Sequence, residues 1–260
     1  MILLLAEVAL YACAGGLSSR PLPPAEGPSA TDSQSPEETE TRSDDTSTPT
    51  DTGTPAPCPD DMVALDGFCM DRYEAPNQAG ALPLVMYTLV ESEAWCSQRE
   101  KRLCFDDEWL SACEGSAGTD YPYGEAHEPG VCNDEEIWRT YSQSSLSLWP
   151  SSASSPDIDS LDALLAAASA SSEAAAQHVA WLYQAEASGS NTGCTNETGV
   201  FDLTGNVEEW TLRRDGGTTS FTGNLKGRYW SETRTCGSNL TSHGDTFRFY
   251  EIGFRCCQDF

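Results

Sequence analysis

Positive charge is scarce in this sequence. Its 260 residues include 14 lysines and arginines against 41 aspartates and glutamates, which gives a net charge of −27. A protein that binds the phosphates of nucleic acid or an anionic lipid surface needs a basic face. The composition therefore argues against both classes of partner. It is compatible with calcium and with a solvent-exposed protein outside the cytoplasm.

Cysteines and histidines lack the spacing of a zinc site. The chain has three histidines and eleven cysteines, and among the cysteines only Cys256 and Cys257 are close together. Zinc sites typically show Cys-x-x-Cys or His-x-His spacing. Scattered cysteines favour disulfides and therefore an oxidising compartment. His127, His178 and His243 lie in separate segments, and we expect them to be surface or packing residues.

Long apolar runs are also missing. Residues 1–10 are apolar but too short to span a bilayer as a helix, which needs about 20 residues. The run ends in Leu10-Tyr11-Ala12-Cys13, which resembles a bacterial lipobox. We predict a signal peptide over residues 1–13, with Cys13 lipidated and anchoring the protein to a bacterial membrane, in the periplasm or at the cell surface. Simple secretion is the alternative, because the run lacks the Lys or Arg of an ordinary signal peptide.

Residues 14–57 contain almost no side chains that could be buried. Pro, Ser, Thr, Asp and Glu dominate this segment. Without apolar burial, nothing compensates the entropy of ordering the chain. We therefore predict a disordered acidic linker, extended by its like charges and prolines, that holds the folded part away from the membrane.

A folded domain is predicted over residues 58–260. Two short strands on either side of Asp66-Gly67 indicate a hairpin. Cys58 and Cys69 would lie near its two ends, where they could form a bridge. Two helices follow, over residues 91–99 and from Asp106 to Cys113.

The middle and the end of the domain differ in character. Residues 133–190, rich in Ala and Ser, read as a helical insertion that begins at Ser155-Pro156-Asp157 and packs on the domain. His178 and Trp181 within it are predicted to be packing residues. Strands are predicted over residues 225–230 and 249–257.

The segment Gly199–Trp210 combines apolar, turn-forming and acidic residues. Thr204-Gly205-Asn206 would turn the chain sharply, because Gly and Asn tolerate positive φ. Asp202 and Glu209 flank this bend, and carboxylates with free carbonyls on a turn are typical of calcium sites. A capped turn with solvated carboxylates is the simpler alternative, and spacing alone favours it.

Seven segments, in order, resemble the formylglycine-generating enzyme, or sulfatase-modifying factor, family. They are residues 73–77 (YEAPN), 94–96 (AWC), 101–109 (KRLCFDDEW), 121–124 (YPYG), 199–210 (GVFDLTGNVEEW), 226–230 (KGRYW) and 253–256 (GFRC). The resemblance covers residues 58–260 apart from the insertion. It implies an irregular α+β fold related to the C-type lectins, low in regular secondary structure and stapled by disulfides.

The resemblance also implies a disulfide map. It pairs Cys96 with Cys256 and Cys113 with Cys236. With Cys13 lipidated, ten cysteines remain, and we add Cys58–Cys69, Cys132–Cys194 and Cys104–Cys257. Each bridge stabilises such a loop-rich fold by roughly 3–5 kcal/mol in the chain-entropy description.

A calcium site is implied at the acidic turn. By resemblance, its ligands are the side chains of Asp202 and Glu209 and the carbonyls of Gly205 and Val207. We expect a structural ion that fixes the turn, since nothing in the motif leaves an open position for chemistry.

Catalysis is where the sequence departs from the family. The family's enzymes oxidise a substrate cysteine to formylglycine with molecular oxygen, at copper held by two closely spaced cysteines after the strand matching residues 226–230. Paired thiolates suit Cu(I) because both are soft. Residues 231–238 contain one cysteine, Cys236, which matches a disulfide-bonded position better. We therefore expect no copper and assign no catalytic residue.

Two functions from different classes follow. The first is a lipid-anchored, non-catalytic binding or scaffold domain for an unknown protein, peptide or glycan. Its contacts could come from an aromatic region that comprises Tyr229, Trp230, Phe247, Phe249 and Tyr250. The alternative is an oxygen-dependent, formylglycine-generating oxidoreductase that acts on protein cysteine.

Overall fold

A computed structural model describes residues 58–151 and 155–260. The predicted signal peptide with Cys13 and the predicted linker over residues 14–57 lie outside this range. The first of two sheets has four strands, all antiparallel, in the order β1-β2-β8-β3. They are β1 (Met62–Ala64), β2 (Phe68–Asp71), β3 (Arg102–Leu103) and β8 (Cys256–Asp259). The hairpin predicted around Asp66-Gly67 is the β1–β2 pair, and β8 carries the chain end back beside it.

The second sheet also has four strands, in the order β6-β5-β4-β7. They are β4 (Glu208–Leu212), β5 (Gly223–Lys226), β6 (Asn239–Leu240) and β7 (Ile252–Phe254). β4 pairs with β7 in parallel, while the other pairs are antiparallel. The strand predicted over residues 249–257 is therefore two strands in different sheets, with Arg255 between them. The strand predicted over 225–230 ends at Lys226, because Gly227 and Arg228 adopt positive φ.

Helix α1 (Leu89–Ser97) lies between β2 and β3 of the first sheet, and α2 (Asp106–Glu114) follows β3, before the insertion and the second sheet. α1 starts two residues before the predicted position, since Thr88 accepts a hydrogen bond from Glu91 N and the Glu91 carboxylate accepts from Thr88 N. α2 ends where Gly115, at φ 59°, leaves the helix, as the sequence indicates.

The insertion is helical but not one helix. It contains α3 (Gln143–Leu146), α4 (Leu161–Ser171) and α5 (Glu173–Leu182). The helix predicted from Ser155 instead begins after Ser160, whose hydroxyl accepts from Ala163 N. Ser172 is extended, so it ends α4 and caps α5. No helix of the two described segments is long and apolar enough to cross a membrane.

The insertion belongs to the main core. Leu164, Val179 and Leu182 are buried in the same apolar cluster as Trp210 and Trp230 of the domain. His178 and Trp181, which the sequence predicts to be packing residues, stack their rings at 5.6 Å, and Trp181 is 52% exposed. His178 Nε2 also accepts a hydrogen bond from Ser142 N at 2.8 Å.

Five disulfides hold this sparse scaffold. They join Cys58 to Cys69, Cys96 to Cys256, Cys104 to Cys257, Cys113 to Cys236 and Cys132 to Cys194. These are the pairs that the sequence suggests. The adjacent Cys256 and Cys257 point to opposite sides of β8 and so bind two separate parts of the chain.

Candidate functional site

The acidic turn is tightly built around backbone at positive φ. Asp202, Gly205 and Asn206 have φ of 59°, 76° and 55°. A Cβ at Gly205 would overlap the carbonyl oxygen of Asn133, so only glycine fits. Asn206 N donates to the same Asn133 carbonyl at 2.7 Å, and Asn206 Nδ2 donates to Glu74 at 2.8 Å. The turn is therefore held by the first residues of the insertion as well as by its own sequence.

Glu209, predicted as a calcium ligand, is paired with a guanidinium. Arg255 donates from Nε and Nη2 to the two Glu209 carboxylate oxygens at 2.7 and 2.6 Å. Trp109 Nε1 donates to the same carboxylate at 3.0 Å. All three side chains are completely buried or nearly so. Both oxygens of Glu209 are therefore already occupied.

The acidic turn has more carboxyl groups than Arg255 can neutralise. Burial raises the pKa of Glu74 to about 8, and the negative charges of Asp202 and Glu209 add to this shift. Burial also raises the pKa of Asp202 to about 6, against a hydrogen bond from Gly189 N at 2.7 Å. Three carboxyl groups thus share one guanidinium.

This donor set fits calcium in part. The excess carboxylate charge and the hard oxygen of Asp202 suit a divalent cation, whereas Glu209 would have to release Arg255. No group of three or more His, Cys, Asp or Glu side chains within the described segments is arranged to hold a metal ion. The calcium site therefore stays a prediction. Its predicted ligands are the side chains of Asp202 and Glu209 and the carbonyls of Gly205 and Val207.

The segment that matches the family's copper site holds no free thiol. Cys236 is bonded to Cys113, and its backbone N donates to Asp120 O at 2.8 Å. The other eight cysteines of residues 58–260 are bonded as well. No pair of thiolates is therefore available for Cu(I) in the described part of the chain.

A cavity of about 330 Å³ lies beside the second sheet. Its walls include three aromatic rings, two carboxyl groups and one guanidinium, from Tyr141, Phe247, Phe249, Glu208, Glu251 and Arg228. We call it the aromatic–acid cavity. Glu208 begins β4, Glu251 immediately precedes β7, and these strands are parallel neighbours. The two acids therefore meet at one edge of the sheet.

The aromatic wall is continuous and reaches solvent. Phe249 packs edge-on against Tyr141 with ring centroids 4.9 Å apart and stacks with Phe247 at 5.7 Å. Phe247 in turn stacks on His243 at 3.8 Å. Tyr141, which the insertion supplies, is 40% exposed. Part of the insertion is thus a wall of the cavity.

The predicted aromatic region divides into two groups. Tyr229, Trp230 and Tyr250 are buried and belong to the core, whereas Phe247 and Phe249 are half-buried and line the cavity. Of the predicted aromatic region, Phe247 and Phe249 therefore line the cavity, and Trp230 belongs to the core.

Both acids of the cavity hold protons more tightly than usual. Burial raises the pKa of Glu208 to about 7, although Arg228 acts against it. Burial raises that of Glu251 to about 8, and the nearby charges of Glu208 and Glu232 raise it further. Glu251 Oε2 is buried and has no hydrogen-bond partner among the described residues.

Sequence reasoning missed Tyr141, Glu208, Arg228 and Glu251 as site residues. Glu208 and Arg228 lie inside family motifs, but from the sequence an isolated charged residue is expected to be exposed to solvent. The one available signal was the Glu208-Glu209 pair: consecutive strand residues face opposite sides, so one of the two acids had to face away from Arg255.

These features define an α+β domain of low regular secondary structure, cross-linked by five disulfides. The profile of the sulfatase-modifying factor enzyme 1-like domain matches residues 50–260. The chain therefore belongs to this family.

Three solved structures are similar to this chain. Treponema denticola variable protein 1 shares 16% identity over 61% of this chain, with a TM-score of 0.33; the match spans about half (47%) of that protein. CarF shares 13% identity over 74% of this chain and 86% of its own, with a TM-score of 0.44. PvdO from Pseudomonas aeruginosa shares 16% identity over 74% of this chain and 80% of its own, with a TM-score of 0.42. A comparison with curated protein sequences finds no match.

Proposed function

We propose that this protein is a non-catalytic binding domain of the family, held outside the cytoplasm by a lipid on Cys13. One observation carries the proposal: all ten cysteines of residues 58–260 are in disulfides. The family's oxygen chemistry needs two thiolates on copper, and this domain has none to offer.

The aromatic–acid cavity supports a binding role. Ligand pockets are concave, partly apolar and carry a few polar groups that fix orientation. This cavity has that composition, and at about 330 Å³ it suits a side chain or a small ligand. The partner is then a protein, peptide or glycan that inserts one group into it.

The location follows from the sulfur chemistry. Five disulfides indicate an oxidising, extracytoplasmic environment. The lipid on Cys13, and calcium as a structural ion at Asp202 and its turn, are parts of the proposal that rest on the sequence.

Thiol counting and copper titration test the proposal on the full-length protein. Denatured without reductant, it should show no reactive thiol when Cys13 is lipidated and one when it is not, with Cys13→Ser as the control. Anaerobic titration should show no tight Cu(I) binding, and cysteine-containing peptides should not be oxidised in air. Two further thiols with tight Cu(I) binding would instead establish the oxidoreductase.

A further inference from the structure

The cavity places carboxyl groups beside aromatic faces. Phe247 and Phe249 stack along one side, and Tyr141 packs edge-on to Phe249. Glu208 and Glu251 also line the cavity. Aromatic faces carry partial negative charge and attract cations, most strongly where water is excluded. Rings and carboxyl groups around one space therefore favour the same kind of ligand.

The guanidinium of the cavity does not offset this preference. Arg228 Nη1 donates to Glu208 at 2.7 Å, and Arg228 Nε donates to Glu232 at 3.0 Å. Arg228 Nη2 also contacts Glu232. Because two carboxylates pair with this guanidinium, they offset its positive charge, and it attracts an anionic ligand only weakly.

Glu251 is the cavity acid that makes no ion pair within the part of the chain that the structure describes. Arg228 is committed to Glu208 and Glu232, and Glu251 Oε2 finds no donor among the described residues. A buried oxygen without a donor is unfavourable, and a ligand that supplies a positively charged N–H would satisfy it.

A second exposed ring lies next to the cavity, against Tyr141. Trp138 is 51% exposed and packs edge-on to Tyr141 with ring centroids 6.4 Å apart. A ligand whose charged end enters the cavity would place its apolar stem along these two rings.

We propose that the aromatic–acid cavity binds an alkylammonium group, such as the end of a lysine side chain, between the Phe249 ring and the Glu251 carboxylate. The inference rests on the proposed binding function and names the chemical class of its ligand.

Binding should depend on pH through Glu251. Burial raises the pKa of this carboxyl to about 8; Glu208 and Glu232 add to the shift, while Arg228 and Tyr250 oppose it. His243, which also lines the cavity and stacks on Phe247, has a pKa lowered by burial and by Arg228. An ammonium ligand favours the ionised carboxylate, so its affinity should increase by up to about tenfold per pH unit between pH 6 and 8.

Calorimetry on the full-length protein tests the proposal with paired probes. Nα-acetyl-lysine amide is compared with the neutral norleucine derivative, and n-butylammonium with neutral n-butanol. The lysine derivative stands for a polypeptide ligand and n-butylammonium for a free small amine. We expect at least one cationic probe to bind at least tenfold more tightly than its neutral partner, and Glu251→Gln to lose at least that factor.

Two variants separate the site from general charge. Phe249→Leu should also weaken the cationic probe, whereas Glu125→Gln, which removes the same charge from an exposed position, should leave its affinity unchanged. Equal binding of cationic and neutral probes, full affinity in Glu251→Gln, or no binding of any probe would overturn the proposal. The thiol and copper measurements are independent, so either idea can fail alone.

Discussion

The buried carboxyl of Glu251 should make the stability of this domain depend on pH. Its pKa is raised to about 8 from an ordinary 4.5. Between these values the folded state keeps the proton and the unfolded state releases it. The free energy of unfolding therefore falls as pH rises from about 4.5 to about 8, by about 1.4 kcal/mol for each pH unit.

Glu251→Gln removes this contribution, because glutamine resembles the protonated carboxyl in shape and stays neutral at every pH. Near pH 5 the variant should be about as stable as the wild type. By pH 7 it should be more stable by about 3 kcal/mol or slightly more. The raised pKa of Glu208, about 7, should leave a weaker slope in both proteins.

The assay is urea unfolding at pH 5, 6, 7 and 8 with the disulfides intact. Glu125→Gln is the matched control, because its carboxyl is exposed; it should follow the wild-type slope. If the wild type and Glu251→Gln show parallel pH profiles, the carboxyl is ionised in the folded state and the reasoning is wrong.

Three further predictions concern the acidic turn. Arg255→Met leaves the Glu209 carboxylate buried without its partner, and the free energy of unfolding should fall by about 3–5 kcal/mol. Adding Glu209→Gln should recover part of that loss in the same urea assay, and no recovery would contradict the pairing. Gly205→Ala should cost about 1–3 kcal/mol more than Gly216→Ala, because both glycines have φ of 76° but only Gly205 lies against neighbouring backbone; equal costs would show that the turn can relax. For calcium, the wild type should melt at a higher temperature with the ion than with EDTA, and Asp202→Asn should abolish the difference. Identical wild-type melting curves would remove calcium from the turn.

The sulfur framework was largely readable from the sequence. The family pattern pairs Cys96 with Cys256 and Cys113 with Cys236, and the structure has the same pairs. Local signals were also sufficient at Asp66-Gly67 and at Gly115, where backbone preference sets the end of an element. Such features depend on residues that are neighbours in the chain or on family motifs, and both can be identified from the sequence alone.

Element boundaries were harder wherever tertiary contacts overrode the local pattern. The apolar run 249–257 looks like one strand, but Arg255 must face Glu209, so the chain changes sheets at that residue. Ser172 interrupts an otherwise continuous helical stripe because its extended backbone ends one helix and its hydroxyl caps the next.

Only the tertiary structure assembled the cavity. Tyr141 comes from the insertion, Glu208 from β4, Arg228 from the bend after β5, and Glu251 from the residue before β7. Each alone resembles an ordinary surface residue, because burial and missing partners are properties of packing. The sequence by itself determined the family, the cross-links and the absence of a spare thiol in residues 58–260. The tertiary structure decided which carboxyl groups are buried and which rings lie beside them. The parallel pairing of β4 with β7 brings the two acids together, and the insertion places Tyr141 next to them.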